Sequence, residues 1–410
     1  MTVITPFRAI RPTRDKAYLV ATRPFYAYNK EVLKAKLEHN PYTFLHVINP
    51  EFHTDDKTKP NTPERYQKVR NKFDEFIRGG IFLREDTNSF YLYRQTIDGH
   101  EFVGIIGGAS VAEYTAGSIK KHEETLTERE EMFSHFIKIV EFNVEPVLLF
   151  HRKHEALNRL FASVFPERPE YEFSSWDKGK HEIWVISNQE KVRQIQQYFS
   201  EIDSIYIADG HHRCASSAKY YESLPSITSP FQDKFLACFI SEDKLKIWDY
   251  NRLVKDLNGL DNETFLEHLA ASFLVTKIRN EEAVPFGLHE ISMYLDEQWY
   301  KLTAKEGTFD RSHPVERLDT DILTKNILTP LLGLTDLKTD DRIGFIDGKL
   351  GMNGIKERVD SGKYRLGFGL FPVSIIQLKQ VADAGLIMPP KSTWIEPKLR
   401  SGLTIFPLEP

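Results

Sequence analysis

The stretch that most constrains the fold lies near the middle of the chain, where a strand pattern, a polar loop and a helix pattern follow one another directly. Residues 204–208 are apolar and β-branched, which is typical of a short buried strand. From Arg213 onward, small residues and tyrosines predict a helix of about 10 residues. A strand that passes into a helix through so short a loop favours an α/β layout.

The loop between this strand and helix has the composition of an anion site, most simply a phosphate site. It consists of Asp209, Gly210, His211, His212 and Arg213. Glycine permits backbone conformations that other residues resist, and a helix start directs N–H groups and positive dipole at the same spot. The arginine fits phosphate oxygens, the histidines can move protons, and the aspartate can bind a metal or accept a proton. The alternative is incidental surface polarity, and a zinc site would require further ligands.

The composition of the chain limits the class of protein to which it can belong. The chain has 410 residues, of which 41% are hydrophobic and 28% charged, so we expect a globular protein with two or three lobes. A formal net charge of −5 argues against a nucleic-acid partner. Two cysteines cannot form a disulfide framework and favour a reducing cytosol. We find no secretory signal and no long apolar run, so we expect a cytoplasmic protein with no membrane partner.

The order of strand and helix patterns predicts a mixed-sheet, multi-lobe protein of the α/β to α+β class. We assign residues 1–255 to an N-terminal α/β region and residues 256–385 to a second, α+β lobe. Residues 386–410 read as a C-terminal loop with lysines and serines that packs back on the site.

Local patterns also predict individual elements. Residues 18–24 and 44–48 read as strands. Thr62 reads as the N-cap of a helix that extends to about residue 79, with proline at its first position. Residues 319–334 read as one helix with an apolar stripe.

A second polar group lies before a predicted helix that starts near Thr127. It contains His122, Glu123 and Thr125. A carboxylate beside an imidazole can serve as a general base or as a Mg²⁺ ligand. The alternative is an acidic side chain that stabilises a solvated helix start.

The C-terminal stretch is also chemically distinctive. Prolines and a glycine stiffen a segment that contains Lys391, Ser392, Thr393 and Lys398. Such a segment can place ammonium groups and hydroxyls on an anion.

Taken together, these stretches resemble the family catalogued as domain of unknown function 1015. The matching motifs are Pro6-Phe7-Arg8, His122-Glu123-Glu124-Thr125, Ala208-Asp209-Gly210-His211-His212-Arg213, Met388-Pro389-Pro390-Lys391-Ser392-Thr393 and Pro397-Lys398. The chain departs from the family at residues 23–27, where an expected acid is lost, and at residues 127–129, where a Lys-x-Asp-Arg run is replaced.

The Asp-Gly-His-His-Arg loop is also similar to that of free-serine kinases with the ParB/sulfiredoxin-like fold, including kinases that use pyrophosphate. The resemblance implies a ParB/sulfiredoxin-like phosphate-binding core and a phosphotransferase that makes O-phospho-L-serine from L-serine. Pyrophosphate, ADP or ATP would be the donor, with Mg²⁺ as cofactor.

The resemblance also implies roles for individual residues. The catalytic group would be Asp209, Glu123 and His211, with Asp209 and Glu123 as the metal ligands. The substrate would contact His122, Thr125 and Arg8. The donor phosphates would be held by Gly210, His211, His212, Arg213, Lys391, Ser392, Thr393 and Lys398.

Other functions use the same residue types. A non-catalytic phosphate or nucleotide sensor would keep the anion loop without turnover, and the altered residues 23–27 favour it. A phosphate-ester hydrolase would use much the same groups. DNA partitioning is disfavoured by the acidic charge and the missing helix-turn-helix pattern. Donor, acceptor, base and oligomeric state stay open at this point.

Overall fold

The computed structural model of the chain describes residues 2–409, except for the side chain of residue 26. The chain divides into two compact units. The first comprises the residues up to 245 together with those from 397 onward, and the second comprises residues 246–396. The chain therefore leaves the first unit and returns to it for its last residues. The domain boundaries expected from sequence, after residues 255 and 385, stay predictions.

The first unit is built on a nine-stranded mixed sheet, as the sequence predicted for this α/β region. Two small antiparallel pairs accompany it, one of Ile10–Pro12 with Phe82–Arg84 and one of Phe142–Asn143 with Phe406–Pro407. The strand Ile4–Thr5 pairs with His100–Ser110. Along the sheet the other strands run in the order Ile119–Lys120, Ile205–Asp209, Val147–His151, Lys234–Ser241, His100–Ser110, Phe90–Ile97, Lys180–Ile186 and Tyr171–Ser174.

The helix Gln189–Ser200 shows how a capped helix of the first unit buries one face. The side chain of Asn188 accepts the N–H groups of residues 190 and 191, and the helix then buries Val192, Ile195 and Phe199 at helical spacing. These residues share a core with the apolar side chains of the main sheet. The helices of this unit are Ala17–Val20, Lys30–His39, Leu45–Ile48, Pro63–Arg78, Val111–Thr115, Thr127–Val140, Glu155–Val164, Gln189–Ser200 and His211–Glu222.

The second unit has its own antiparallel sheet and its own apolar core. Its six strands run in the order Phe273–Ile278, Gln298–Ala304, Glu290–Leu295, Leu366–Gly369, Tyr250–Val254 and Ile343–Asp347. A further pair joins Lys246–Trp248 to Trp394–Glu396. Its α-helices are Asn262–Ser272, Asp319–Leu323, Gly351–Asp360 and Ile375–Asp383. Across the described part of both units, no helix combines the length and the apolar character needed to cross a membrane.

Two predicted strands are wrong. Residues 18–24 contain the end of the helix Ala17–Val20, and residues 44–48 contain the helix Leu45–Ile48. Val20, Phe44 and Val47 are buried together in a cluster with the helix Pro63–Arg78. Burial against this helix overrides the strand propensity of the β-branched residues, which is a tertiary effect that a local pattern does not contain.

The helix Pro63–Arg78 itself is confirmed, with Thr62 accepting the N–H of residue 65 and proline at the first position. The single helix predicted over residues 319–334 is confirmed only as far as residue 328, and it is not a regular α-helix. The chain forms one α-helical turn, Asp319–Leu323, and then a π-helical turn, Thr324–Leu328. The Asn326 amide donates to the carbonyl of residue 322 at 2.9 Å, so side chains compete here for backbone partners.

The sheet brings three loops to one edge. Ile119–Lys120 is parallel to Ile205–Asp209, so the segments that follow both strands leave at the same end. Val147–His151 is antiparallel to Ile205–Asp209, so the residues before Val147 lie at that end too. The loops after residues 120 and 209 and the loop before residue 147 therefore converge.

Candidate functional site

The candidate site is built around the junction of the strand Ile205–Asp209 and the helix His211–Glu222, hereafter the site helix. Gly210 joins them with φ of 106°, a left-handed conformation that side chains disfavour. A Cβ at this position would also lie 3.0 Å from the guanidinium of Arg213. The left-handed conformation is the main reason for a glycine here, and the close approach of the Arg213 side chain adds to it. The junction leaves the first N–H groups of the site helix directed at the loop.

The carboxylate of Asp209 lies between two cations. The Nζ of Lys398 is 3.3 Å from Oδ2, and the Nη2 of Arg213 is 3.7 Å from the same oxygen. Burial raises the pKa of Asp209, but Lys398 and Arg213 outweigh burial and lower it to about 2. Asp209 is therefore ionised at neutral pH, and its low basicity suits charge neutralisation better than proton abstraction.

Two buried imidazoles meet beside this carboxylate. The rings of His122 and His211 are 4.6 Å apart and nearly perpendicular, at 87°. Burial lowers the pKa of His122 to about 4 and lowers the pKa of His211 well below its ordinary value, so both rings are neutral at pH 7.

The hydrogen bonds of His211 select its tautomer. The backbone N–H of His122 donates to Nε2 of His211 at 3.4 Å, so Nε2 is the acceptor. The proton of the neutral ring therefore resides on Nδ1, which lies 3.5 Å from Oε2 of Glu123. In this arrangement His211 orients the half-exposed Glu123 carboxylate at the mouth of the site. The Nδ1 of His122 is buried, and within the described residues it has no hydrogen-bond partner.

The remaining loop residues are held by neighbouring backbone. His212 accepts the N–H of Leu126 at its Nε2, at 3.2 Å. Arg213 donates from Nη1 to the carbonyl of Pro146 at 2.6 Å, and Glu145 lies 4.0 Å from the same nitrogen. These contacts fix the guanidinium fork beside the helix start, and a planar guanidinium has the geometry to bind a phosphate.

Thr125 and Arg8 were also predicted to belong to the site. Thr125 donates its hydroxyl to the carboxylate of Glu130, in the first turn of the helix Thr127–Val140. Arg8 is half-buried and lies between the strands Ile4–Thr5 and Ile10–Pro12. It makes none of the contacts described above within residues 2–409.

Lys391, Ser392 and Thr393 lie in the second unit, whereas Lys398 lies in the first. The hydroxyl of Ser392 donates to the carbonyl of residue 389 at 2.7 Å and lies 3.1 Å from the hydroxyl of Thr320. The buried guanidinium of Arg252 donates to the carbonyls of residues 390 and 391 at 3.1 and 2.9 Å. The proline-rich motif is therefore held in a fixed conformation within the second unit, and its predicted donor contacts stay predictions.

Magnesium chemistry is compatible with the carboxylates present. Among the described residues, no group of three or more His, Cys, Asp or Glu side chains is arranged to hold a metal ion. Mg²⁺ in phosphoryl-transfer sites commonly takes only one or two carboxylates, with waters and substrate phosphates completing its shell. Asp209, ionised and 40% exposed, fits that requirement.

Sequence reasoning missed part of this neighbourhood. Glu145 and Pro146 contact Arg213 but belong to no recognisable motif. Asp177 and Arg400, which form a buried ion pair at 2.6 Å, were also missed. The position of Arg400 two residues after Lys398 was the one available signal.

Comparison with known proteins gives a family match and several distant structural similarities. The family described as "Protein of unknown function (DUF1015)" matches residues 4–321. No curated protein matches the chain. A structure described as free serine kinase in complex with AMP is 13% identical, with a TM-score of 0.40, over 75% of this chain and 91% of that one.

Two further structures are similarly distant. SbnI with a C-terminal truncation, from Staphylococcus aureus, is 14% identical with a TM-score of 0.41, over 74% of this chain and 87% of that one. A conserved hypothetical protein from Pyrococcus furiosus is 14% identical with a TM-score of 0.35, over 72% of this chain and 90% of that one.

Proposed function

The chain belongs to the family of proteins of unknown function 1015, and we propose that it is a small-molecule phosphotransferase, a kinase of free L-serine. The product would be O-phospho-L-serine, and the donor pyrophosphate or ADP/ATP. The observation that supports this most strongly is the junction at Gly210. It places a helix start, Arg213 and Lys398 around one loop, together with two neutral imidazoles.

The cationic part of the site would hold the donor. The helix start, Arg213 and Lys398 offer N–H groups and positive charge to the phosphoryl group that is transferred and to its leaving phosphate. Phosphoryl transfer requires positioning and charge neutralisation more than covalent help. Mg²⁺, held by Asp209 with or without Glu123, would neutralise further charge on the donor oxygens.

Glu123 would act as the general base. The serine hydroxyl oxygen attacks the terminal phosphorus, the bond from that phosphorus to the leaving phosphate breaks, and the hydroxyl proton passes to the Glu123 carboxylate. His211 would hold this carboxylate through its Nδ1–H, and it stays neutral because burial disfavours its charged form. Asp209 is the poorer base because its pKa is about 2.

The test is a ³¹P NMR assay of purified protein with L-serine and Mg²⁺, in separate tubes with pyrophosphate, ADP, ATP or no donor. We expect a phosphoserine resonance in one donor tube and its loss in Arg213→Ala. The matched control is Arg193→Ala, because Arg193 is exposed on the helix Gln189–Ser200, away from the site helix, and pairs with Glu190 of its own helix. That variant should retain the resonance.

Three other results would overturn the proposal. Donor breakdown without phosphoserine would indicate a phosphate-ester hydrolase. Donor binding by calorimetry without any turnover would indicate a phosphate sensor. If protein that circular dichroism shows to be folded neither binds nor turns over any donor, both the kinase and the sensor are excluded for these ligands.

A further inference from the structure

A second charged cluster lies next to the site on the same C-terminal segment, which we define as residues 397–409. Lys398 pairs with Asp209, and two residues later the Nη2 of Arg400 donates to both oxygens of Asp177, at 2.7 and 2.6 Å. Two residues of extended chain span at most about 7 Å. Lys398 and Arg400 therefore connect the proposed phosphoryl-transfer site and the Asp177 cluster to the same short segment of the chain.

The cluster contains more positive than negative charge. Arg23 donates to Oδ2 of Asp177 at 2.5 Å, opposite Arg400. Lys36 is a third cation there: its pKa is lowered by burial and then by Arg400 and Arg23, and Asp177 opposes the effect. In the described part of the chain, Lys36 forms no ion pair with an acidic side chain. Three cations thus share one carboxylate.

The carboxylate of Asp177 attracts Lys36, but its oxygens are already engaged by other donors. Burial raises its pKa, but Ser175, Arg400 and Arg23 together hold the pKa well below its usual range. Its oxygens already accept from the Ser175 hydroxyl and from both guanidinium groups. Lys36 lies near two arginines and, among the described residues, has no counter-charge of its own. This arrangement is electrostatically unfavourable unless an anion binds in the cluster.

The cluster is also rigidly built. Ser175 lies 2.8 Å from Nε2 of the fully buried His181, whose Nδ1 is 2.6 Å from the hydroxyl of Tyr93. On the other side, the Tyr28 hydroxyl accepts the backbone N–H of Arg23 at 2.8 Å. Fixed groups of this kind lower the entropic penalty of ligand binding.

Tyr28 also links the two cations that face away from the core. The ring of Tyr28 lies 5.5 Å from the Nζ of Lys36, within the range of a cation–π contact. Arg23 keeps about a third of its side chain exposed and lies over the exposed ring of Trp176, at 4.8 Å. Arg23 and Lys36 are therefore both accessible to a ligand, whereas Arg400 is buried.

We propose that Arg23 and Lys36 bind the carboxylate of an amino-acid acceptor whose hydroxyl reaches the phosphoryl donor at Asp209 and Arg213. This proposal rests on the proposed function and specifies its substrate class. The donor phosphates already have Arg213, Lys398 and the helix start, so the surplus positive charge of this second cluster, three cations against one carboxylate, favours a further anion. A planar guanidinium fits a carboxylate with two hydrogen bonds, and an ammonium adds charge.

The experiment compares L-serine with L-serinamide, in which a neutral amide replaces the carboxylate, using the donor that supports phosphoserine formation. Wild-type protein should show a KM for serinamide roughly 10- to 100-fold higher than for serine, the effect of losing a charge-assisted contact. Lys36→Ala should raise the KM for serine by a similar factor, with the KM for serinamide and for the donor unchanged. Lys36→Arg should restore most of the serine affinity.

The matched control is Lys34→Ala, because Lys34 is exposed on the same helix and paired with Glu38 at 3.7 Å. It should leave both KM values unchanged. Equal KM values for serine and serinamide in the wild-type protein would overturn the carboxylate subsite and leave the kinase standing. A higher donor KM in Lys36→Ala, with serine unaffected, would assign the cluster to the donor and also overturn it.

If no donor gives phosphoserine, the proposed kinase fails, and the subsite is then decided by binding alone. Calorimetric titration with L-serine, L-serinamide and inorganic phosphate separates the cases. Serine binding that Lys36→Ala weakens and that serinamide does not reproduce supports the subsite. Binding of phosphate only, or of none of the three ligands, overturns it.

Discussion

The Nδ1 of His211 lies 3.5 Å from Oε2 of Glu123, although 88 positions separate the two residues along the chain. They meet because the strands before them, Ile119–Lys120 and Ile205–Asp209, are parallel neighbours. A general base needs an oriented acceptor oxygen, and a neutral imidazole that donates from Nδ1 supplies the orientation. The pairing makes Glu123, rather than Asp209, the residue whose loss should affect proton transfer most.

Glu123→Gln should lower kcat by about 10²- to 10⁴-fold, the usual contribution of a general base, and leave the KM for the donor almost unchanged. Steady-state kinetics with the active donor measure both. Glu128→Gln is the matched control, since Glu128 is an exposed acid in the first turn of the helix that follows. A Glu123→Gln enzyme with wild-type kcat would remove Glu123 from the mechanism.

Protein stability should depend on pH through His122. Its pKa in the folded protein is about 4, below the ordinary 6.5, so the unfolded chain binds more protons between these values. The stability is therefore complete above pH 6.5 and is lost as the pH falls toward 4, by roughly 3 kcal/mol for this residue. Urea unfolding at several pH values measures the slope. His122→Asn should flatten it, and an unchanged slope would contradict the burial argument.

Gly210→Ala should reduce both stability and donor affinity. A left-handed conformation costs a residue with a side chain about 1–2 kcal/mol, and the new Cβ would displace the Arg213 guanidinium, now 3.0 Å away. Gly117→Ala is the matched control, because Gly117 has φ of +77° and no described atom within 4 Å of the added Cβ. Thermal unfolding should shift in both variants, whereas donor binding should weaken only in Gly210→Ala.

Lys398→Met should weaken donor binding by roughly 10- to 100-fold, because a charge-assisted contact is lost while the apolar stem is kept. It should also raise the pKa of Asp209, since Lys398 is the strongest of the groups that lower it. Calorimetry with pyrophosphate and ADP tests the first effect. Lys153→Met, at an exposed lysine paired with Glu155, should leave the affinity as it was. Equal affinities in the two variants would remove Lys398 from the donor site.

The sequence was most informative where chemistry is local. A strand, a glycine and a helix start determine the junction at Gly210 within a few residues, so the loop and its left-handed glycine could be expected. The cap at Thr62 is equally local. The mixed sheet follows from the alternation of strand and helix patterns.

The parts that sequence reasoning missed depend on contacts between distant segments. The helix Leu45–Ile48 exists because Phe44 and Val47 are buried against the helix Pro63–Arg78, which the strand-like composition of residues 44–48 does not reveal. The ion pair of Asp177 and Arg400 joins residues 223 positions apart, and neither lies in a recognisable motif. Only the arrangement of the strands makes such neighbours visible.

The return of the C-terminal segment to the first unit has a consequence for biosynthesis. Lys398 reaches Asp209 over 189 positions, and the whole second unit is translated between them. On the ribosome, the main sheet and the second unit can both fold before Lys398 and Arg400 emerge. During that interval Asp209 and Asp177 are without these cations, so the proposed donor site is incomplete. The proposed site would therefore be completed only after the second unit has been synthesised and the C-terminal segment has packed against the first unit.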